Sequence, residues 1–385
     1  MSPAEKRFQS GHVSSIAATH LLHDTYTSFF APLLPLLSEK LGFTYALAGA
    51  LSVVQRIPAL FNPLFGIIAD RILIRSGIIL CPVVAVVSMS LIGLAPSIIM
   101  LAVLMLVSGI TAAVYHVTAP VLMRRVSGDK VGRGMSFFMF GGELARTVGP
   151  LLVTAAVSWW GLEGIWRLIP VGLIASLLLF LNLRTIRKED LLHFSTPAKE
   201  PLLKSFRGMT PLFSTILPIM FFRGFSKSAL ALFLPSYMVD HGHSLKTAAI
   251  ALAVLELAAA LGALGAGSLS DRIGRRKVLL GIMLISPALM YLFTLSGGIV
   301  LWLLLILMGL LFFASTPVFM AMIHDLNSDR PSLANGLFMT MNFAAGSAIA
   351  MLVGFAADHC GLLLTYKITA LLGLFAIPPA LCVKK

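Results

Sequence analysis

Gly267-Ser-Leu-Ser-Asp271-Arg272-Ile-Gly274-Arg275-Arg276-Lys277 is a burst of charge set between two apolar runs, near 246–270 and 277–295. At about 1.5 Å per helical residue, each run is long enough to cross a hydrocarbon layer of about 30 Å. A related string, Gly66-Ile-Ile-Ala-Asp70-Arg71, stands about 200 residues earlier, again between apolar runs. Leu34-Pro35 and Leu234-Pro235 repeat at the same offset, as do Phe138-Met139 and Phe338-Met339. Three matches at nearly one spacing, each on a corresponding run, imply an internal duplication.

Working outward, the chain reads as about twelve such spans. They lie near 12–38, 44–69, 77–95, 98–123, 133–158, 164–183, 211–238, 246–270, 277–295, 298–323, 332–356 and 361–382. Most connections are very short. The exception, residues 184–210, is rich in charge and divides the chain into 1–183 and 211–385. The expected fold is an all-α membrane protein of two pseudo-symmetric six-helix bundles joined by that linker. Long apolar runs favour helices over a barrel, whose strands alternate over about ten residues.

Composition agrees. Of 385 residues, 58% are hydrophobic and 12% charged, against about 25% charged in soluble domains. The net charge of +13 would suggest nucleic acid in a soluble protein, but here the basic residues sit in short loops. Lys6, Arg7, Arg71, Arg75, Arg124, Arg125, the linker, Arg272, Arg275, Arg276, Arg330, Lys384 and Lys385 share one side. The other side carries little beyond Lys40, Arg167 and Lys246. The excess of positive charge marks the cytoplasmic face, so both termini and the linker are expected there, in a plasma (inner) membrane. No nucleic-acid partner is expected. Lys6 and Arg7 precede a first span too long and polar for a cleaved signal. Cys81, Cys360 and Cys382 have no metal or disulfide spacing and read as packing residues.

The loop string resembles the signature between spans 8 and 9 of the major facilitator superfamily, and the earlier copy its counterpart between spans 2 and 3. The resemblance implies alternating access, a small-molecule site between the halves and function as a monomer. It also implies a cytoplasmic gating role for Gly66, Asp70, Arg71, Gly267, Asp271, Arg272, Gly274, Arg275 and Arg276. The first copy departs from the pattern, with Leu73 for the second glycine and Arg75 alone of the basic cluster. Within the superfamily the chain resembles the fosmidomycin-resistance group. The residues are Thr19-His-Leu-Leu-His-Asp24 with Pro32-Leu-Leu-Pro35, Val114-Tyr-His116, Gly141-Gly142 with Gly149-Pro150, and Arg223. That likeness implies proton-coupled efflux of a drug or metabolite. The antiporter pattern on span 5 is incomplete: Ala145 takes its first glycine, and Val153 and Thr154 its last two.

Ionisable residues within membrane spans are costly and point to a partner or a wet cavity. His20 and Asp24 lie one turn apart on span 1 with His23 on their flank, chemistry suited to proton exchange near neutral pH. Glu143 and Glu256 are the other carboxyls that qualify as proton carriers. Arg223, Lys227, Arg56, Tyr115, His116 and Arg146 are the candidates for binding substrate. Arg223 and Lys227 form a cationic face for an anionic group, and Arg56 is expected to meet a carboxylate such as Asp24. Each has a plainer reading: a static hydrogen-bonded cluster, a local Glu143–Arg146 pair, or a lysine stem reaching an interface.

No phosphate-cradling loop, zinc-binding helix motif or nucleophile elbow is present. The chain is therefore expected to be no enzyme, to hold no cofactor or metal, and to move its substrate without ATP. Two other function classes stay open: proton-symport import of a small organic anion, and a membrane receptor or assembly partner that does not transport.

Overall fold

The computed structural model describes residues 8–62, 74–128, 131–186, 202–325 and 331–383. Among them every regular element is helical. Their contacts divide the chain into two compact units. One comprises Met1–Leu41 with Val54–Ser195, the other Gly42–Val53 with Thr196–Lys385.

The first unit starts with α1 (Ser10–Thr27) and α2 (Phe30–Leu41), the two pieces of the first expected span. Proline explains the break. Pro32 has no amide hydrogen for the carbonyl four residues back, and its ring crowds that carbonyl. The carbonyl belongs to Ser28, where regular helix stops. Next come α3 (Tyr45–Arg56), whose first nine residues count with the second unit, and a 3-10 turn at Ile57–Phe61. Then follow α4 (Ile74–Ser90), α5 (Ile98–Val126), α6 (Val131–Trp160) and α7 (Leu168–Leu183). Ser97 starts α5 by accepting from the Met100 amide at 3.3 Å, which satisfies one of the unpaired donors of a helix start. α1 packs against α6, α4, α7 and α5. The core beneath it includes Val13, Ile16, Ile78, Tyr115, Ala119 and Phe138. At one end of this unit, Lys40 donates to the Gly93 carbonyl at 2.8 Å and to Glu163 at 2.7 Å.

The second unit holds α8 (Leu202–Asp240), α9 (Leu245–Ile273), α10 (Arg275–Phe293), α11 (Gly298–Phe312), α12 (Ser315–Asp325), α13 (Pro331–Leu374) and α14 (Ile377–Leu381). α8 starts at Leu202, so the end of the expected linker is helical. α13 bends at Gly361, where φ is +76°, a region open to glycine because it has no Cβ. That bend separates the last two expected spans. α8 packs against α13, and α9 against α11. The α9–α11 seam is close because Gly262 faces the Leu310 carbonyl, which a Cβ would approach to 2.0 Å.

Eight stretches of the described residues are long and apolar enough to cross a membrane. The last, Leu337–Leu381, has 45 residues, enough for two crossings at about 20 residues each. Lipid-facing stripes are bare: Ile99, Val103, Leu106 and Ile110 are exposed along α5. α1 and α6 fall outside the eight stretches, and both carry polar and ionisable residues. Polar character in these helices marks the site. The three cysteines are free thiols.

Candidate functional site

Asp24 is the centre of a cluster in the first unit. His20 and His23 come from its own helix. His116 comes from α5, nearly a hundred positions away in sequence. Asp24 Oδ1 accepts from His23 Nδ1 at 2.8 Å and lies 3.5 Å from His116 Nε2, while Oδ2 lies 3.2 Å from His20 Nε2. The His23 side chain is fully buried, His20 is 6% exposed, Asp24 18% and His116 39%. One edge of the cluster, at His116, is therefore open.

The surroundings fix the rings. His20 Nδ1 donates to the Phe138 carbonyl at 2.7 Å, and its ring stacks on the Phe138 ring at 4.0 Å. His23 stacks on Tyr115 at 4.7 Å, whose hydroxyl shares a 2.7 Å hydrogen bond with Thr19. Glycine sets the distance between α1 and α6. A Cβ at Gly141 would meet the Ala17 carbonyl at 2.4 Å, and one at Gly142 the His20 ring at 2.5 Å.

This geometry constrains the proton. With Nδ1–H committed to Phe138, a neutral His20 presents only a lone pair at Nε2. That lone pair faces a carboxylate oxygen, another acceptor. The approach is favourable when one proton resides on Nε2 or on Oδ2. Nε2 lies 3.2 Å from Oδ2, close enough for the two groups to share that proton. Ligand atoms of His20, Asp24 and His116 all lie within 4.8 Å of one another, close enough to share a single cation.

The remaining sequence candidates are placed as follows. Glu143 and Arg146 pair along α6, with side chains 17% and 40% exposed. Arg223 is buried in α8, where Nη1 donates to the Phe312 carbonyl and the guanidinium lies 5.8 Å from the Phe319 ring centre. It is turned into the second unit's interior. Lys227 Nζ lies 4.8 Å from the centre of the Phe313 ring. Glu256 is buried in α9. Arg56 ends α3 half-buried. The expected meeting of Arg56 with Asp24 does not occur, since imidazoles occupy the space around that carboxylate. Sequence reading missed Phe138 and Thr111, both ordinary span residues; Thr111 lies 3.4 Å from His23 Nε2.

Of the gating string, Gly66, Asp70 and Arg71 lie outside the described residues, as do the side-chain surroundings of Gly267 and Asp271. Gly274 separates α9 from α10 with φ +96°, which accounts for a glycine in the signature. Arg272 is exposed and Arg276 half-buried. Arg275 donates to Asp325 at 3.2 Å, tying the start of α10 to the end of α12.

Apolar spans, a loop signature at a glycine turn and buried charge on the spans agree with the sequence pattern of the Major Facilitator Superfamily, which matches residues 16–351. The chain belongs to that superfamily. It is an integral, multi-pass membrane transporter rather than an enzyme. The fosmidomycin resistance protein of Escherichia coli (strain K12) is 24% identical, covering 98% of this chain and 93% of that protein. The multidrug resistance protein MdtG of Salmonella typhimurium is 27% identical over 68% of this chain and 67% of its own length. Among solved structures, a D-xylose–proton symporter superposes with TM-score 0.76 at 14% identity, covering 97% of each chain. The all-α superfamily fold is thus shared at low identity.

Proposed function

We propose that this transporter exports a small anionic or zwitterionic drug or metabolite in exchange for protons, by alternating access. The observation that carries the reading is the Asp24 cluster: one carboxylate within reach of three imidazoles inside a membrane helix. A scaffold would gain nothing from so costly a group. The open edge at His116 suggests how substrate and proton exchange places. An anionic group arriving there competes with Asp24 for the imidazolium, and the carboxylate, deprived of that cation, takes up a proton. Release of the proton on the other side returns Asp24 to its histidines. Arg146, 40% exposed on the same unit, is the cation there best placed to hold the rest of an anion. Glu143 and Glu256 are the carboxyls next in line for the proton. The names of the relatives favour efflux, and fosmidomycin is the first substrate to try.

The test is flux in proteoliposomes with and without an imposed pH gradient. A gradient of one pH unit supports about tenfold accumulation per coupled proton, since one unit is about 1.4 kcal/mol. Asp24→Asn is expected to reduce this to equilibration while leaving substrate binding measurable. Full gradient-driven accumulation in Asp24→Asn would move the coupling role to Glu143 or Glu256.

A further inference from the structure

His20 and Asp24 lie on one helix, and His116 joins them from another. His20 gives its Nδ1 hydrogen to the Phe138 carbonyl at 2.7 Å, so the neutral ring turns the lone pair of Nε2 toward Asp24 Oδ2 at 3.2 Å. The other carboxylate oxygen faces His116 Nε2 at 3.5 Å, which offers a lone pair whenever Nδ1 carries that ring's hydrogen. Electron-rich atoms of three side chains thus come within 4.8 Å of one another. Such atoms repel unless a positive body lies between them. A pair one helical turn apart is an ion pair; the third donor, from α5, completes a ligand set.

Two imidazole nitrogens with one carboxylate suit zinc, cobalt or nickel, whereas magnesium and calcium take oxygen ligands. Zinc bonds of about 2.0–2.2 Å put the ligand atoms around one ion about 3–3.5 Å apart. The separations of 3.2 and 3.5 Å are already of that size. The two rings must close by at most about 1.5 Å to reach it, and His116, 39% exposed, is the ring with room to move. Imidazole ligands usually give their other N–H to a carbonyl or carboxylate, and carboxylate ligands are themselves hydrogen-bonded. Both conditions hold here. The Phe138 carbonyl orients His20, and His23 Nδ1 donates to Asp24 Oδ1 at 2.8 Å. The open edge at His116 provides the way in and space for a water as a further ligand. We infer that His20, Asp24 and His116 bind one divalent transition-metal cation of the zinc class, with His23 and the Phe138 carbonyl as orienting groups. The site rests on donor geometry alone. An occupied site also holds the carboxylate that proton exchange needs, and only that consequence rests on the coupling reading.

The experiment is calorimetric titration of zinc chloride into the purified, chelator-treated protein in detergent, prepared without a polyhistidine tag. A single tight equivalent of zinc is expected to bind, and magnesium at the same concentration is not. His116→Ala and Asp24→Asn each remove a ligand and are expected to weaken zinc binding by about tenfold or more, at least the loss that follows removal of an orienting group. Thermal unfolding without zinc checks that each variant is folded; if Asp24→Asn is not, His116→Ala at the open edge decides. Exposed His241 and His243 are the adventitious alternative, and replacing both with alanine should leave the tight equivalent in place. Zinc-edge X-ray absorption should show two imidazoles and carboxylate oxygen at about 2.0–2.2 Å. Zinc binding no tighter than magnesium, unchanged affinity in His116→Ala, or loss of the equivalent when His241 and His243 are replaced overturns the assignment. Gradient-driven flux in saturating zinc tests the coupling reading separately, and the titration decides the site whatever the flux does.

Discussion

Gly142→Ala places one methyl group against the ring that orders the Asp24 cluster. A Cβ at this position would stand 2.5 Å from His20 Cε1, 2.8 Å from Nε2 and 3.1 Å from Nδ1. Carbon atoms in contact rest at about 3.5–4.0 Å, so ring and helix must part by about 1 Å. The ring has little freedom to comply, because Phe138 holds it twice, by the 2.7 Å bond to its carbonyl and by the stacked ring. Overpacking of this size costs about 1–3 kcal/mol. Against it stands the gain of about 1 kcal/mol when alanine replaces glycine inside a helix. The net change is a loss of up to about 2 kcal/mol. The sign should reverse when the obstacle is removed. In a His20→Ala background, Gly142→Ala keeps the helix gain and loses the clash, and should stabilise by up to about 1 kcal/mol. A double-mutant cycle on thermal unfolding, followed by tryptophan fluorescence, reads that coupling of about 1–3 kcal/mol. Gradient-driven flux should fall in Gly142→Ala alone, as His20 leaves Asp24. Equal effects of the substitution in both backgrounds would refute the claim that Gly142 exists to admit the His20 ring.

Two further expectations concern the gating loop and the topology. Gly274→Ala meets no neighbour within 4 Å but must adopt φ +96°, a backbone cost of about 1–3 kcal/mol. Gly265→Ala, also without neighbours but inside α9, should instead stabilise by about 1 kcal/mol; matching losses at both sites would remove the backbone argument. Tags at either terminus or within 184–210 are expected to be reached only from the cytoplasm, and one near Lys246 only from outside. Labelling of the linker in intact cells by a reagent that cannot cross the membrane would reverse this orientation.

The membrane class and helical architecture were legible because both follow from apolar run length, a local property. The break inside the first span was equally local, since Pro32 disrupts the helix four residues back, yet a hydropathy pattern passes over it. Placement of His20 beside Asp24 followed from helical spacing. Neither the arrival of His116 nor the Phe138 carbonyl under His20 had a local signal. Both depend on how closely α5 and α6 approach α1, and for α6 that distance is set by Gly141 and Gly142 meeting α1. The glycine pair was visible in the sequence; what it admits was not. Arg56 shows the converse error, in which complementary charge alone suggested a pair that packing does not make.

The internal duplication puts these observations in one frame. At the offset of about 200 residues, His23 corresponds to Arg223 and Thr27 to Lys227. The backbone solution was kept while the chemistry diverged. An imidazole can be buried neutral, and His23 is satisfied by Asp24 and Thr111 on elements of its own unit. A guanidinium has no neutral form to fall back on, and Arg223 is offered a carbonyl and a ring in place of a carboxylate. Two positions related by one ancestral helix therefore solve the problem of polarity in a membrane differently. One half holds a group that can release its charge during a cycle, the property a coupling site requires. The other holds a charge that cannot be released, set against a carbonyl and an aromatic face.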